Sequence, residues 1–336
     1  MKEVYVRQPG TGIVTTVQLK PTAGATTRDL IRCLGLKRGD VMRIADGHLL
    51  EPQEDLYDVL DDGEKLTVVP WIDWVCSSVA PARETCPRLE HQDGQAEPVH
   101  DRQAKVPGFN QDVFRKLQVL LIGAGALGGE IAEGLTRKGV GRLAIVDFDV
   151  VRPSNLARQF FYESDIFQSK AISLVRNLQP HGYMGTELIG WPISFEEAVE
   201  LELEDLQCDV VVCAVDDAQT RIAISRFALE RGVPAVFSAV SEYADHGFVF
   251  VQEVDCACFG CALPEQVARG RTPCPGSPAI KDVMKAMAGV ALYSIDTLFM
   301  ERPRRWSLYD LSLVDGNANR FGTVERRPDC ALCGDP

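Results

Sequence analysis

From residue 117 onward the chain alternates short, wholly apolar runs with segments whose apolar residues recur every three or four positions. Val119–Ile122 is a continuous apolar run bounded by glycine, the pattern of a strand buried on both faces of a parallel sheet. Leu127, Ile131 and Leu135 then fall on one helical face, and Leu143–Val146 is a second apolar run. Val210–Val215 and Gly247–Val251 read as further strands. Val283, Met287, Val290 and Ala291 mark a later helix, with Ser277-Pro278 as its N-cap and first turn. This alternation predicts an α/β fold: a Rossmann-like, mostly parallel sheet with helices on both faces.

The first seventy residues follow a different period. Val4 and Val6 alternate with polar residues, Gly10-Thr-Gly12 turns the chain, and Val14–Leu19 alternates again, which predicts a hairpin. Thr26–Asp29 opens a helix through Leu30, Ile31 and Leu34 that Gly35 stops. Val41–Ile44 and Lys65–Val69 supply two more strands. Residues 71–99 are rich in Pro, Ser, Gln and Glu without any periodicity, so they read as a linker. The expected organisation is therefore a small domain over 1–70, a linker over 71–99 and a large domain over 100–336, which a chain of 336 residues can accommodate.

The β-β-α-β-β order and the phrase from Arg43 to Val69 resemble ubiquitin-like β-grasp domains. A ubiquitin-like modifier ends in an exposed Gly-Gly, but here the chain runs on through Val69-Pro70-Trp71. The resemblance thus implies a docking or dimer-contact module, not a substrate.

Charge and cysteine content narrow the partners. A net charge of −13 argues against nucleic acid or an anionic membrane, both of which need a basic face. No run of about eighteen apolar residues is present, and residues 1–10 alternate like a strand and lack a signal peptide's apolar region. Eleven cysteines, four of them in two C-x-x-C pairs, suggest metal before disulfides and a reducing cytoplasm.

Chemistry enters with Gly123-Ala-Gly125-Ala-Leu-Gly128. It follows one strand and opens a helix, and Asp147 ends the next strand about twenty residues on. Glycines let the backbone turn tightly and approach a phosphate, which the N–H groups of the helix N-terminus receive. At this point two nucleotides remain open. A nicotinamide-dependent oxidoreductase would use the same loop and acid.

The peptide that follows separates them. Phe148-Asp149 leads to Ser154-Asn155-Leu-Ala-Arg158-Gln159, then to Gln168-Ser-Lys170-Ala, and Ala214-Val-Asp216-Asp217 comes later. In this order the motifs resemble the ThiF/MoeB-type adenylating enzymes, the superfamily of the ubiquitin-activating enzymes, over roughly residues 100–334. The resemblance implies an ATP site. Gly123, Gly125 and Gly128 would cradle the nucleotide and Asp147 would hold the ribose. Asn155, Arg158 and Lys170 would grip the triphosphate, and Asp216 would bind magnesium. Arg102, in His100-Asp-Arg102-Gln103, would reach across a homodimer to the partner's ATP. The implied reaction is adenylation of the C-terminal glycine of a ubiquitin-like or sulfur-carrier β-grasp protein. Conjugation through a downstream enzyme and sulfur transfer both stay open. A catalytically silent scaffold with the same fold is the alternative, but it has no need of the phosphate-handling residues.

Cys258-Phe-Gly-Cys261 and Cys330-Ala-Leu-Cys333 together make a four-thiolate set suited to a closed, structural zinc site. The resemblance implies the same placement of the two pairs. Cys256 is close enough in sequence to compete as a ligand, but the C-x-x-C register favours Cys258 and Cys261. Cys274 lies in a proline-rich loop before a helix start, where a thiol's pKa can fall. In some members of the family a cysteine in this loop forms a thioester; in others it does not react.

Overall fold

The computed structural model describes residues 2–7, 14–19, 26, 30, 40–43, 49–50, 55–63, 65–69, 99–182, 185–203, 206–241, 243–269 and 280–334. Residues 71–98 of the expected linker and Cys274 fall outside these residues, as do Ser277 and Pro278.

The described residues before 70 form a five-stranded sheet with its own apolar cluster. Strands β1 (Lys2–Arg7) and β2 (Val14–Leu19) pair as the expected antiparallel hairpin. β3 (Asp40–Arg43) pairs with β4 (Leu49–Leu50), a two-residue strand the sequence pattern did not reveal. A short helix, α1 (Leu56–Val59), precedes β5 (Lys65–Val69). The order is β2-β1-β5-β3-β4, with β1 parallel to β5 at the centre. Val4, Val6, Leu19, Leu30, Leu50, Leu56, Leu60 and Leu66 are buried together. Of the expected helix, Leu30 is helical and its N–H donates to the Thr26 carbonyl at 3.0 Å.

Beyond residue 99 the chain starts with two one-turn helices, α2 (Asp101–Ala104) and α3 (Gln111–Phe114). An eight-stranded sheet follows. Its strands are β6 (Gln118–Ile122), β7 (Arg142–Val146), β8 (Glu187–Trp191), β9 (Val210–Cys213), β10 (Ala235–Val240), β11 (His246–Gln252), β12 (Leu308–Ser312) and β13 (Arg320–Gly322). In space they run β13-β12-β11-β10-β9-β6-β7-β8. The five strands from β10 to β8 are mutually parallel, and the last three in sequence add an antiparallel extension.

Alternate residues of one strand face opposite sides of a sheet. Val119 and Leu121 of β6 accordingly join a cluster with Ile131 and Leu135 of α4 (Ala126–Lys138), Leu174 of α5 (Lys170–Leu178), and Met287 and Ala291 of a C-terminal helix, Lys281–Phe299. Leu120 and Ile122 join the other cluster. Its members include Phe195 of α6 (Phe195–Glu200), Ile224 and Phe227 of α7 (Ala218–Arg231), and Phe259 of α8 (Phe259–Ala262). Both faces are therefore helix-covered, as the unbroken apolar strands require. Helix α9 (Pro264–Arg269) follows α8, and the helix over Lys281–Phe299 is α10.

From β6 the chain moves outward through β7 and β8, then returns to place β9 on the other side of β6. Order reverses between β6 and β9. In open α/β sheets such a switch point, at the carboxyl ends of the strands, is where ligands bind. The loops there are Gly123–Gly125 after β6 and Ala214–Asp217 after β9.

Candidate functional site

Gly123 turns the chain out of β6 with φ +98, a conformation that favours glycine. A Cβ at this position would also lie 2.8 Å from the Ala214 carbonyl oxygen. Gly128, in the first turn of α4, packs against the Gly123 carbonyl so closely that a Cβ there would overlap the oxygen and lie 2.9 Å from the carbon. Gly125 is different. It is the N-cap of α4, in extended backbone, and a Cβ on it would meet nothing within 4 Å. Two glycines thus bring the loop close to itself and to β9, while the third leaves space open before the helix end. The first-turn N–H groups of any helix lack intrahelical acceptors and attract anions. A nucleotide phosphate fits this cradle.

Asp147, just past β7, braces the loop from the side. One carboxylate oxygen accepts from the Ala124 N–H at 2.7 Å and the other from the Asp149 N–H at 2.8 Å. Burial behind the strand ends raises its pKa above the ordinary carboxylate range, against the opposing influence of Lys170 and these two N–H groups. Lys170, buried at the first position of α5, donates to the Asp149 carboxylate at 2.7 Å. A cation is disfavoured at a helix N-terminus, so Asp149 offsets that cost.

Asn155 is buried in a 3-10 turn, Pro153–Asn155, where its side-chain oxygen accepts from the Arg152 N–H at 2.8 Å. Arg158 sits one turn on and donates to the Ser154 carbonyl at 2.6 Å. The segment carrying both is tied at its ends, since Val151 and residues 167–168 exchange backbone hydrogen bonds of 2.8 Å.

Strand β9 ends at Cys213, two residues earlier than the apolar run suggests. The chain bends at Asp216, which is exposed, and no described residue bonds its carboxylate. Its neighbour Asp217 caps α7, accepting from the Thr220 N–H at 2.8 Å. The two acids therefore divide: Asp217 has a structural task, and Asp216 is left to face solvent as a carboxylate able to hold a cation.

Arg102 is not brought to this site. Its helix α2 lies by the far end of α4, where the side chain of His100 contacts the Arg137 carbonyl at 2.8 Å and Gln103 donates to the Lys138 carbonyl at 2.8 Å. Thirteen residues of α4 separate that end from Gly125, about 20 Å at 1.5 Å per residue.

The two cysteine pairs do converge. Cys258 Sγ is 3.9 Å from Cys261 Sγ and 3.5 Å from Cys330 Sγ, and Cys261 and Cys333 are also 3.5 Å apart. All four sulfurs lie within 4.8 Å of one another. Tetrahedral bonds of ~2.3 Å put sulfurs ~3.8 Å apart, so zinc fits the set. Backbone N–H groups support two of the sulfurs: Arg327 points at Cys261 at 3.3 Å and Leu332 at Cys330 at 3.5 Å. Burial raises the Cys258 thiol. At Cys330 burial acts the same way but is outweighed by N–H donors and neighbouring thiols, and its pKa falls to about 7. Cys256 is exposed and outside the cluster.

Two residues without a sequence-derived role emerge beside the site. Asp149 is the partner of Lys170, and its signal was the second acid of Asp147-Phe-Asp149. Arg221 donates to the Val215 carbonyl through Nε at 3.1 Å and Nη2 at 2.8 Å, and to Gln266 at 2.9 Å through Nη1. Among the described residues no helix is long and apolar enough to cross a membrane.

Known proteins share sequence and fold with this chain. A sulfur carrier protein adenylyltransferase of Thermus thermophilus is 28% identical over 233 residues, covering 67% of this chain and 85% of the relative. An adenylyltransferase and sulfurtransferase MOCS3 of Caenorhabditis briggsae is 26% identical over 245 residues, and the match covers 70% of this chain and 60% of that longer protein. The crystal structure of Escherichia coli MccB superposes with a TM-score of 0.56 at 16% identity over 67% of each chain, a likeness of fold. The ThiF family model matches residues 100–332, more than half of the sequence, and the chain belongs to the ThiF family.

Proposed function

We propose that the protein adenylates the C-terminal glycine of a ubiquitin-like or sulfur-carrier β-grasp protein at the expense of ATP. The observation that carries this reading is the shared placement of a glycine cradle, a buried lysine and an aspartate that no described residue bonds, at one switch point. The named relatives, a sulfur carrier protein adenylyltransferase and MOCS3, support the same chemistry. A nicotinamide role leaves Asn155, Arg158, Lys170 and Asp216 without a ligand to bind.

A carboxylate is already ionised, so no general base is needed for it to attack the α-phosphorus of ATP. A bond forms between the carboxylate oxygen and phosphorus, the bond to pyrophosphate breaks, and an acyl-adenylate results. Negative charge grows on the phosphate oxygens during this step, so fixed donors and cations around them lower the barrier. In this reading the α4 N-terminus and Gly125 receive phosphate oxygens, Asp147 holds the ribose, and Asn155, Arg158 and Lys170 bind along the triphosphate. Asp216 would hold Mg²⁺, which supplies charge neutralisation on the phosphates. Lys170 is kept in place by Asp149 until a phosphate competes for it. Zinc held by Cys258, Cys261, Cys330 and Cys333 would pin the C-terminal segment to α8.

Arg102 stands too far from the glycine loop of its own chain to act there, which supports a homodimer in which it serves the partner's site. The strand order β2-β1-β5-β3-β4 and the parallel central pair support a β-grasp reading of residues 1–70, acting as a docking module. Cys274 is proposed as the thiol that would attack the acyl-adenylate if activation proceeds to a thioester, forming the carbon–sulfur bond and releasing AMP, with a conjugating enzyme as the next acceptor.

ATP–pyrophosphate exchange tests the reading, with Gly-ending β-grasp proteins from the same genome added singly. Exchange should require one of them and vanish in Asp216→Ala. Tight ATP binding with no exchange for any candidate would instead favour the scaffold.

A further inference from the structure

Asp216 presents a structural problem. A metal-binding carboxylate must point in one direction, yet no described residue bonds its side chain. The turn around it is nonetheless held. The Ala214 N–H donates to the Ile122 carbonyl at 2.9 Å, and a Cβ on Gly123 would stand 3.2 Å from Val215 Cγ1, so residues 214–215 are seated on the glycine loop. Asp217 is fixed by its cap on α7. Between these points the Arg221 guanidinium holds the Val215 carbonyl through two N–H groups at 3.1 and 2.8 Å.

We propose that Arg221 is a positioning residue that aims the Asp216 carboxylate at the metal by clamping the peptide plane between Val215 and Asp216. The proposal rests on the reading of Asp216 as the Mg²⁺ ligand. Six atoms of a peptide unit share one plane, here running from the Val215 Cα through its carbonyl to the Asp216 N and Cα. Two donors from one rigid fork restrain the rotation of that carbonyl in a way a single donor does not. Without the clamp the Val215–Asp216 backbone could shift as a segment between its two fixed ends, and the Asp216 Cα and carboxylate would move with it. The third donor, Nη1, is anchored on Gln266 of α9 at 2.9 Å, so the fork itself is held from outside the turn. Three of its five N–H donors are thus engaged within the protein, which fixes the orientation of the guanidinium, and in this proposal it acts through Asp216.

The clamp can be separated from the charge. Lysine keeps the charge but has a point donor on a flexible stem, so Arg221→Lys removes the clamp alone; Arg221→Gln removes both. The measurements are Mn²⁺ binding in the presence of ATP, followed by loss of the free-ion electron paramagnetic resonance signal, and the Mg²⁺ midpoint of ATP–pyrophosphate exchange. Both variants should raise the metal midpoint about tenfold or more, the scale of losing a charge-assisted hydrogen bond, with metal-free ATP affinity unchanged. In an Asp216→Ala background, Arg221→Lys should add no further shift.

A merely structural arginine would lower the active fraction without moving the metal midpoint, and that result would overturn the proposal. Recovery of the wild-type midpoint in Arg221→Lys would also overturn it, because charge alone would then suffice. An Asp216→Ala variant that binds Mn²⁺·ATP normally would overturn this proposal together with the metal assignment. Failure of exchange with every carrier, alongside the expected Mn²⁺ shifts, would remove the proposed substrate and leave the clamp standing.

Discussion

Gly125→Ala and Gly128→Ala are the same chemical change three residues apart, and the structure assigns them opposite consequences. At Gly128 the added methyl overlaps the Gly123 carbonyl oxygen and lies 2.9 Å from its carbon, inside the ~3.5 Å at which carbon atoms touch. The obstacle is backbone, fixed by the β6 ladder and by the Gly123 N–H bond to the Val146 carbonyl at 2.9 Å, so α4 must move instead. Overpacking of this kind costs about 1–3 kcal/mol, and the upper end applies where neither side can yield. At about 2–4 °C per kcal/mol for a domain of this size, Gly128→Ala should lower Tm by roughly 6–12 °C. Gly125 has extended backbone that alanine can adopt and open space around its Cβ direction. Gly125→Ala should therefore unfold within ~1 °C of wild type. Its methyl would occupy the volume in front of the helix end, and ATP affinity should fall at least about tenfold, some 1.4 kcal/mol. Differential scanning calorimetry and ATP titration calorimetry measure the two effects separately. Wild-type ATP affinity in a well-folded Gly125→Ala protein would refute the placement of the nucleotide at this loop.

Three further outcomes are expected. Mixing Arg102→Ala with Asp216→Ala subunits should restore exchange to about a quarter of wild type, because a two-fold heterodimer rebuilds one complete site when the arginine acts in trans; no recovery would place Arg102 elsewhere. The purified protein should contain one zinc per chain by elemental analysis, and Cys330→Ser should lose it with a clear drop in Tm, since metal binding is coupled to folding; full stability without zinc would remove its structural role. The raised pKa of Asp147 means that it takes up a proton, as pH falls, at a higher pH than an ordinary carboxylate does. ATP affinity should accordingly weaken on acidification above the usual carboxylate range, with Asp147→Asn abolishing that dependence; an unchanged pH profile in the variant would exclude Asp147 as the ribose acceptor.

Much of the framework is written locally in the chain. Val119–Ile122 and Leu143–Val146 are wholly apolar because both faces of their sheet are covered, and such runs are legible without coordinates. The Leu127-Ile131-Leu135 spacing likewise marks α4, since one helical face must meet the sheet. Gly123 and Gly128 announce a close approach because only glycine tolerates the positive φ and the contact that the structure contains. The two C-x-x-C pairs suggest a metal site by donor chemistry alone.

Tertiary structure decided what depends on contacts between distant segments. Residue type alone did not divide the labour of Asp216 and Asp217, because either acid can cap a helix; the resemblance singled out Asp216 for magnesium, and the register of α7 gave the cap to Asp217. The partner of Lys170 and the grip of Arg221 on Val215 are also set by folding, since a single side-chain hydrogen bond leaves no periodic trace. Nor could spacing place Arg102. Its distance from the glycine loop follows from the length and direction of α4, which carries the chain from the nucleotide end of the sheet to the opposite end. Apolar periodicity and glycine sterics are properties of neighbours in the chain, whereas the direction of a carboxylate or an arginine is fixed only when remote backbone closes around it.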